Sequence, residues 1–465
     1  MKTSRTHWWF ALPAILLLAA AGLWRMQILR PRAPQREFQP PPDDMPPALL
    51  FTTVALGGFR GIIADLLWMR AIHLQEEARV LELVQLSEWI TVLEPHFTTV
   101  WAFHAWNMAY NVSIMFTVPE DRWRWVQHGI RLLRDRALVF NPRHPILLRE
   151  LGWLYQHKIG FVMDPAHRHY KIRLAEEMTA LLGGPRPDYA ALAAGPAGQK
   201  AREQYKLQPG IMAALDRDYG PLDWRLPATH ALYWSYQGRL AKPGQPGVRG
   251  CYQMFFQCLD ESFRQGRLRF TPGTDQYLAV PALELLPRAI RAHEEALALF
   301  DIPVFHLAYA NFLAEAVAVL YSYGKLPRAR ELYAQLIARY PNPAGDPGFD
   351  EFVTACLTGN LAETPRESVS ALVEGFLTQS FLGQARGDAA GAAEAAGMAQ
   401  KIWEQFMQSR VSADHRQRTG LPPLEEMRRA AWQRAQSELP AEQRKTNPPA
   451  PAGAPTPVHE NANQD

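Results

Sequence analysis

The stretch "LLRELGWLYQHKIG" (residues 147–160) is the part of the sequence that most directly indicates the fold. Leu148, Leu151 and Tyr155 recur three to four residues apart, which is the spacing of one face of an α-helix. Gly152 lies on the same face, and a residue without a side chain allows a second helix to approach closely. The stretch also holds a Trp, a His and a Lys. It therefore predicts either the wall of a helical stack or the edge of a catalytic pocket.

Length and composition indicate a folded protein with several compact units or one elongated array. The chain has 465 residues, more than one hydrophobic core usually supports. Apolar residues make up 48% and charged residues 20%, and the net charge is only +3, so nothing favours a nucleic-acid partner. The 38 prolines are about 8% of the residues, against roughly 5% in average proteins. They cluster between periodic segments and are expected to separate helices.

Residues 1–36 are predicted to form an N-terminal membrane anchor. The segment from Trp8 to Trp24 carries no charge, and its 17 residues would span about 26 Å as a helix, slightly less than the roughly 30 Å hydrocarbon core. Apolar residues beyond it extend the predicted transmembrane helix to 8–29. A cleavable signal peptide is one alternative, because an Ala-x-Ala pattern precedes Gly22, and a buried helix of a soluble protein is another.

The residues that flank the predicted span, and the apolar stretch after the linker, bear on how the chain is placed relative to the membrane. Two basic residues precede the predicted span and four follow it, a bias that alone would keep the C-terminal side in the cytoplasm. Long domains, however, often cross a membrane whatever the flanking charge. We therefore expect a single-pass cell-membrane protein whose soluble domain lies outside the cytoplasm, after a Pro-rich linker at 37–47. The apolar stretch beyond the linker contains Arg60 and Asp65, which are costly in a bilayer, and a turn is expected at Gly57–Gly61. We expect a helix packed on the soluble domain or on the membrane surface, with a membrane-embedded hairpin as the alternative.

Helical periodicity continues through most of the chain. In the first such segment apolar residues recur at Leu66, Met69, Ile72, Leu81, Val84, Trp89 and Leu93. Periodic segments end near Pro95, Pro142 and Pro341. Pro119 is placed to begin one helix, and a capping box at 364–367 is placed to begin another. Strict alternation and Asn-Gly or Asp-Gly turns are nearly absent, so the sequence predicts an all-α fold.

Two segments carry a repeat pattern, L-x2-L-G-x2-Y in the first and A-x3-Y with a closing proline in the second. The repeat-defining residues are Leu148, Leu151, Gly152, Tyr155, Gly324, Ala329, Tyr333 and Pro341. The pattern resembles the tetratricopeptide-repeat (TPR) superfamily. This resemblance implies antiparallel helix pairs stacked into a right-handed α-solenoid with a concave binding surface.

The domain organisation follows from the periodic segments. Residues 48–184 and 251–439 are expected to form N-terminal and C-terminal TPR-like repeats. A Pro/Gly-rich insert with a connecting helix is expected between them, at 185–250. Residues 440–465 are Pro-rich and polar, which predicts a disordered tail.

The resemblance implies a membrane-anchored scaffold that binds another protein, in an envelope complex and without a cofactor. Repeat arrays expose a long concave face on which peptides or helices of a partner dock. The candidate partner-binding residues are Trp101, His104, Asn107, Asn111, Arg149, Trp153, Gln156, His157, Tyr309 and Asn311. Contact with the membrane is assigned to residues 8–29.

Two other functions remain open from the residues alone. His157, Asp164, His167 and His169 supply three imidazoles and a carboxylate that could bind zinc or act in catalysis, although their spacing matches no metal signature. The arginines between residues 122 and 136, with the tryptophans around them, could bind a lipid or a glycan. A polar loop that contacts a partner and a solvated basic face are the simpler interpretations.

Three further features are expected to be structural. Lys158 is expected to be a surface charge. The aromatic run at 101–125 is expected to form helix core rather than a ligand cage. Cys251 and Cys258 would lie about 10 Å apart in one helix, beyond the roughly 7 Å limit for a disulfide. With Cys356 they are expected to be free buried thiols.

Overall fold

The computed structural model describes residues 60–77, 79–342, 345–359, 361, 363–409 and 419–445. The predicted transmembrane helix, the linker and most of the predicted tail lie outside these ranges. Within them the chain is almost entirely helical, with one two-stranded antiparallel sheet. Apart from that sheet, the all-α fold predicted from the sequence is confirmed.

The N-terminal part of the described chain consists of six helices, three of which have unusual extensions. The helices are α1 Arg60–Glu76, α2 Val80–Leu93, α3 Thr98–Trp106, α4 Pro119–Arg131, α5 Pro145–Trp153 and α6 His167–Leu182. Helices α3, α4 and α5 continue without a break into π-helical turns at Asn107–Val112, Leu132–Ala137 and Leu154–Ile159. A 3-10 turn at Ser113–Met115 ends the first of these, and a helical turn at Leu138–Phe140 ends the second. Such π-helical turns are rare and occur frequently at functional sites.

The remaining elements continue the helical pattern. The next helices are α7 Tyr189–Ala194, α8 Pro196–Gln204, α9 Pro209–Tyr219, α10 Pro227–Arg239 and α11 Val248–Gln265. The sheet follows, with β1 at Arg267–Phe270 and β2 at Tyr277–Val280. The last helices are α12 Leu286–Leu299, α13 Pro303–Ser322, α14 Leu326–Arg339, α15 Phe349–Thr358, α16 Arg366–Ala385, α17 Ala389–Gln408 and α18 Leu424–Glu438. Short 3-10 turns lie at Leu283–Leu285 and Ala441–Gln443.

Prolines mark where many of these helices begin. Eight of the described helices have a proline in the first turn. Proline fits there because the amide it lacks would have no partner within the helix, and its φ angle is already helical. The eight are Pro119, Pro145, Pro196, Pro209, Pro227, Pro287, Pro303 and Pro327.

One hydrophobic core runs through most of these elements, from Trp101 on α3 to Leu439 after α18. Helices pack mainly on their neighbours in sequence, such as α10 on α11, α11 on α12, α13 on α14 and α16 on α17, so the packing is repeat-like. Helix α10 also packs on α5, and it contributes Leu232 and Tyr233 to the core. The region 185–250, expected to be an insert, therefore forms part of the same core.

Helix α1 packs on α2 through a face that the predicted apolar positions do not mark out. This face combines the buried Ala64, Ala71 and Leu74 with the partly buried Leu67 and Trp68. The predicted apolar residues Leu66, Met69 and Ile72 are instead 57%, 58% and 44% exposed. Gly61, where a turn was expected, lies within this helix.

The β1–β2 sheet corrects the prediction that residues 251–439 are wholly helical. Each strand has four residues, and the turn between them contains no Asn-Gly or Asp-Gly, so the usual hairpin signal is missing. Leu268, Leu278 and Val280 are buried. A two-stranded sheet is marginal alone, and this one is stabilised by packing of β2 against α6, α11 and α16.

Three details of the C-terminal helices complete the fold. Gly324 has φ +67° at the connection from α13 to α14, a backbone conformation that favours glycine. Helix α16 begins at Arg366 without a side-chain cap, so the expected capping box at Thr364 does not form its N-terminus. Helix α13 is the one described helix long and apolar enough to span a membrane, with a mean hydropathy of 1.4, and half of that window is buried in the protein.

Candidate functional site

Aromatic rings from α3, α5 and the turns that follow them lie side by side. We call this group the aromatic face and define it as Trp106, Tyr110, Trp153, His157 and Phe161. Trp106 stacks on Tyr110, with ring centroids 5.6 Å apart. His157 lies between Trp153 at 4.5 Å and Phe161 at 5.5 Å. The Tyr110 hydroxyl is 2.9 Å from His157 Nδ1, which joins the two helices, and every ring keeps part of its surface in solvent.

Two residues of the aromatic face lie on π-helical turns. Tyr110 lies on the turn at Asn107–Val112, and His157 lies on the turn at Leu154–Ile159. At the end of the second turn the Gly160 amide donates to the Tyr155 carbonyl, five residues back, at 2.9 Å. Trp106 and Tyr110 are four residues apart, as are Trp153, His157 and Phe161, so each row follows one side of its helix.

A buried carboxylate next to the aromatic face joins three segments. Asp164, which is 8% exposed, accepts hydrogen bonds from Lys158 Nζ at 2.5 Å, Arg122 Nη1 at 3.1 Å and the Tyr170 hydroxyl at 3.2 Å. Lys158 Nζ also lies 4.9 Å from the centroid of the Tyr110 ring. Lys158 is 3% exposed, so the expectation of a surface charge is wrong. It is buried because Asp164 and the tyrosine ring compensate its charge.

Burial and charge set the protonation states of this group. Burial lowers the pKa of Lys158, and its hydrogen bond to Asp164 opposes that effect. Burial acts to raise the pKa of Asp164, but the hydrogen bond and charge of Lys158 outweigh it and lower the pKa. Burial, and then the charge of Lys158, lower the pKa of His157, so its ring is neutral at pH 7. Burial raises the pKa of Tyr110, which keeps its proton.

Exposed apolar side chains lie in the two loops beside the aromatic face. Arg122 donates to the Phe116 carbonyl at 2.6 Å as well as to Asp164, so the loop after α3 lies beside the loop after α5. These loops carry a group that we call the apolar rim: Ile114 (57% exposed), Met115 (57%), Val118 (51%) and Met163 (68%). Several large apolar side chains exposed in neighbouring loops are a feature that can mark an interaction site.

Four of the ten predicted partner-binding residues lie in the core. Trp101, His104, Asn107 and Tyr309 are 1%, 1%, 0% and 3% exposed. Burial also lowers the pKa of His104 to about 3, so this ring is a neutral core residue. These four side chains therefore have no surface to offer a partner. Asn311 is exposed, on α13 in the C-terminal part.

The other five predicted residues lie on or near the aromatic face. Trp153 and His157 belong to it. Asn111 and Gln156 are half-buried on the same two π-helical turns. Arg149 is half-buried on α5 and pairs with the adjacent carboxylate of the same helix.

The four residues of the alternative metal site do not converge. Asp164 is occupied by its ion pairs, and His157 by its tyrosine partner. His169 Nε2 lies 3.1 Å from a Glu120 carboxylate oxygen. His167 begins α6, and burial first, then nearby cations, lower its pKa to about 3. Within the described ranges no three His, Cys, Asp or Glu side chains are placed to hold a metal ion.

The basic face of α4 is largely neutralised by ion pairs. Among the five arginines of α4 and the π-helical turn that extends it, only Arg131 has no carboxylate oxygen of the described chain within 4 Å. The pairs are Arg122–Asp164, Arg124–Asp121, Arg134–Asp135 and Arg136–Glu88, with N–O distances of 3.1, 3.1, 2.7 and 2.9 Å. Compensated charges of this kind leave little attraction for a lipid headgroup.

Six of the eight repeat-defining residues lie at packed positions, and Gly324 and Pro341 are exposed. Leu148, Leu151 and Tyr155 on α5 and its extension, and Ala329 and Tyr333 on α14, are buried. A side chain added at Gly152 would meet Met254 Sδ at 2.6 Å and the Ala231 carbonyl at 3.4 Å. This glycine therefore allows α10 and α11 to approach α5. Pro341 lies two residues beyond the end of α14.

The apolar rim and Phe161 were not identified from the sequence. The signal available was the placement of Phe161 and Met163 in a Gly- and Pro-containing loop, where large apolar residues have no helical core to join. No protein-family model matches the chain, and no curated protein matches it.

Proposed function

We propose that this chain is a membrane-anchored, TPR-like scaffold that binds another protein of the cell envelope through the aromatic face and the apolar rim. The single observation that supports this most directly is the aromatic face itself. Its rings are held in place by stacking and by the Tyr110–His157 contact, yet all remain partly exposed. Rigid, half-exposed aromatic residues dominate the binding energy of many protein interfaces.

The apolar rim adds the area that a protein partner would cover. Burying these side chains against a partner would contribute about 25 cal/mol to the free energy of binding for each Å² of apolar surface removed from solvent. Polar groups at the edge, such as Asn111 and Gln156, can orient the partner. A peptide or helix with apolar anchors every three to four residues fits such a surface.

The repeat-like packing of sequence neighbours and the glycine-mediated approach at Gly152 support the TPR-like part of the proposal. The uncharged segment from Trp8 to Trp24 supports the anchor. Alkaline carbonate extraction of membranes tests the anchor separately. A retained anchor keeps the full-length chain in the membrane pellet, and Leu17→Arg, in the middle of the span, releases it.

The binding proposal is tested by site-specific photo-crosslinking and pull-down of the full-length protein from its native membrane. A photo-crosslinker at Phe161 is compared with one at Leu307, which is 61% exposed on α13. The double variant Phe161→Glu/Met163→Glu is compared with Leu307→Glu/Leu240→Glu, whose side chains are similarly exposed. All variants must retain the same helical circular dichroism.

We expect one protein to crosslink at position 161 and to be recovered in near-stoichiometric amount. The Phe161→Glu/Met163→Glu variant should lose it, and the matched control should keep it. Equal recovery with both double variants would refute the assignment of the interface to this surface. If a glycan or lipid co-purifies instead, the proposal of a protein scaffold fails.

A further inference from the structure

A second surface feature, far in sequence from the aromatic face, is a cavity between the start of α6, the β1–β2 sheet and α18. Its volume is ≈ 500 Å³, within the range usual for small-molecule sites. Phe270, Leu278 and Ala430 supply apolar lining, and Thr271, Gln276 and Gln433 supply polar groups.

Three arginines from three separate elements line this cavity: Arg168 on α6, Arg269 on β1 and Arg429 on α18. Arg168 donates to the Asp275 carbonyl. In the part of the chain that the structure describes, none of the three has a carboxylate oxygen within 4 Å. Asp275 and Glu426 also line the cavity, and neither carboxylate lies within 4 Å of a nitrogen of these three arginines.

Neighbouring arginines show that an arginine without a carboxylate partner is unusual in this region. Arg267, two residues before Arg269, pairs with Glu284 at 2.7 Å. Arg434, on the same helix as Arg429, lies 3.8 Å from Glu374. Burial lowers the pKa of Arg269, the charge of Glu374 opposes that effect, and the cations Arg267 and Arg434 add to it. The cavity lining therefore holds three guanidinium groups and two carboxylates, an excess of one positive charge, and none of the three guanidinium groups is engaged in an ion pair with a described carboxylate.

We propose that this cavity binds a phosphate-bearing small molecule. A guanidinium group matches the oxygens of a phosphate in a two-pronged geometry, and the three such groups in this lining outnumber its two carboxylates. The ring of Phe270 and the side chain of Leu278 would contact an apolar part of the ligand. This proposal does not depend on the partner-binding proposal, because it involves none of the same residues.

The ligand would also bridge α6, the sheet and α18. These elements are separated by about a hundred or more residues in sequence. Binding to the folded state alone therefore raises the melting temperature of the protein.

The test uses the full chain in detergent, with phenyl phosphate as the probe, followed by thermal unfolding and titration calorimetry. We expect saturable binding and a rise in melting temperature. Arg269→Gln and Arg429→Gln should each weaken binding about 10-fold or more, because each removes a charged hydrogen-bond donor. Glu426→Gln should strengthen binding, because it removes a negative charge from the cavity.

The matched control is Arg217→Gln, an arginine whose side chain is 72% exposed on α9 and pairs only with its neighbour Asp218. It should leave affinity unchanged. The affinity of the wild type should rise from pH 5 to pH 7.5, because the second ionisation of a phosphate monoester has a pKa of about 6. Phenyl sulfate, which stays a monoanion, should bind more weakly at pH 7.5.

Short-chain phosphatidic acid below its micelle concentration distinguishes a lipid source from a soluble one. Tighter, arginine-dependent binding of that lipid than of phenyl phosphate identifies the phosphate of a lipid headgroup. The reverse order identifies a soluble phosphorylated molecule. Equal affinity in wild type, Arg269→Gln and Arg429→Gln, or no binding of either probe to the folded wild type, overturns the proposal.

Discussion

Replacing Asp164 with Asn is expected to destabilise the α5–α6 region by about 3 kcal/mol. The substitution preserves size but removes the charge that Lys158 Nζ contacts at 2.5 Å. Lys158 is 3% exposed, and removing one partner of a buried ion pair usually costs about 3–5 kcal/mol. We take the lower value because Asn still accepts one hydrogen bond, and because Arg122, at 16% exposure, can turn towards solvent.

The assay is amide hydrogen exchange of the full-length protein, which reports local opening free energies. A loss of about 3 kcal/mol corresponds to roughly 100-fold faster exchange over residues 154–170. The matched control is Asp218→Asn, because its partner Arg217 is 72% exposed. Surface pairs of this kind contribute about 1 kcal/mol or less, so exchange around α9 should change little.

A second substitution tests the physical cause. Lys158→Met on the Asp164→Asn background removes the unpaired buried cation and should restore at least half of the lost protection. The reasoning is refuted if Asp164→Asn alone costs less than about 1 kcal/mol. It is also refuted if the two substitutions destabilise additively.

The difference in stability between wild type and Asp164→Asn should depend on pH, in a way that follows from the direction in which the pKa of Asp164 is shifted. The pKa of Asp164 lies below its ordinary value of 3.8 in the folded protein. Its contribution to stability is therefore present above pH 3.8 and is lost as the pH falls through the lower folded-state value. The gap between wild type and Asp164→Asn should persist from pH 7 to pH 5 and narrow only in more acidic solution.

Three further outcomes follow from packing and burial. Gly129→Ala should destabilise by about 1–3 kcal/mol in thermal unfolding, because the added carbon would lie 2.7 Å from the Ala105 carbonyl, whereas Gly61→Ala, with no atom within 4 Å, should be neutral or stabilising. Burial raises the pKa of Glu374 from its ordinary value of 4.5 to about 7. The contribution of this carboxyl group to stability is therefore fully present below pH 4.5 and is lost as the pH rises through 7. The free energy of unfolding of Glu374→Gln should accordingly rise relative to that of the wild type, by up to about 3 kcal/mol, between pH 5 and pH 8. In a thiol-titration assay of the folded protein, Cys356 should react before the other two free cysteines, which are fully buried, and denaturant should make all three equally reactive.

The parts of the fold that depend on local sequence signals could be predicted. Proline at the first helical turn, helical periodicity and the glycine at the α13–α14 connection each act over a few residues. The all-α class follows from these signals. The sheet escaped prediction because its strands are held by packing against distant helices, which no local pattern reveals.

The candidate site could be predicted only in part, because exposure depends on the phase of each helix. Residues of the α3 region were assigned to a surface because they are polar or aromatic, yet Trp101, His104 and Asn107 are buried. Tyr110, on the π-helical turn at Asn107–Val112, was not among the predicted contacts and is partly exposed. On α5 and the π-helical turn that extends it, the predicted residues Trp153 and His157 are partly exposed. The arginine cavity combines residues from three distant elements and has no sequence signature.

The position of Asp164 affects how any loss of binding should be interpreted. It contacts Lys158 on the π-helical turn that carries His157, and Arg122, which also holds the loop of the apolar rim. A substitution at Asp164 would therefore disturb the aromatic face and the rim together without removing any residue that a partner touches. Loss of partner binding in Asp164→Asn accompanied by faster hydrogen exchange shows only that the surface has lost its support. Loss of partner binding in Phe161→Glu/Met163→Glu with unchanged hydrogen exchange identifies the surface that the partner contacts. Those side chains are exposed, so their replacement should disturb the packing of the fold little.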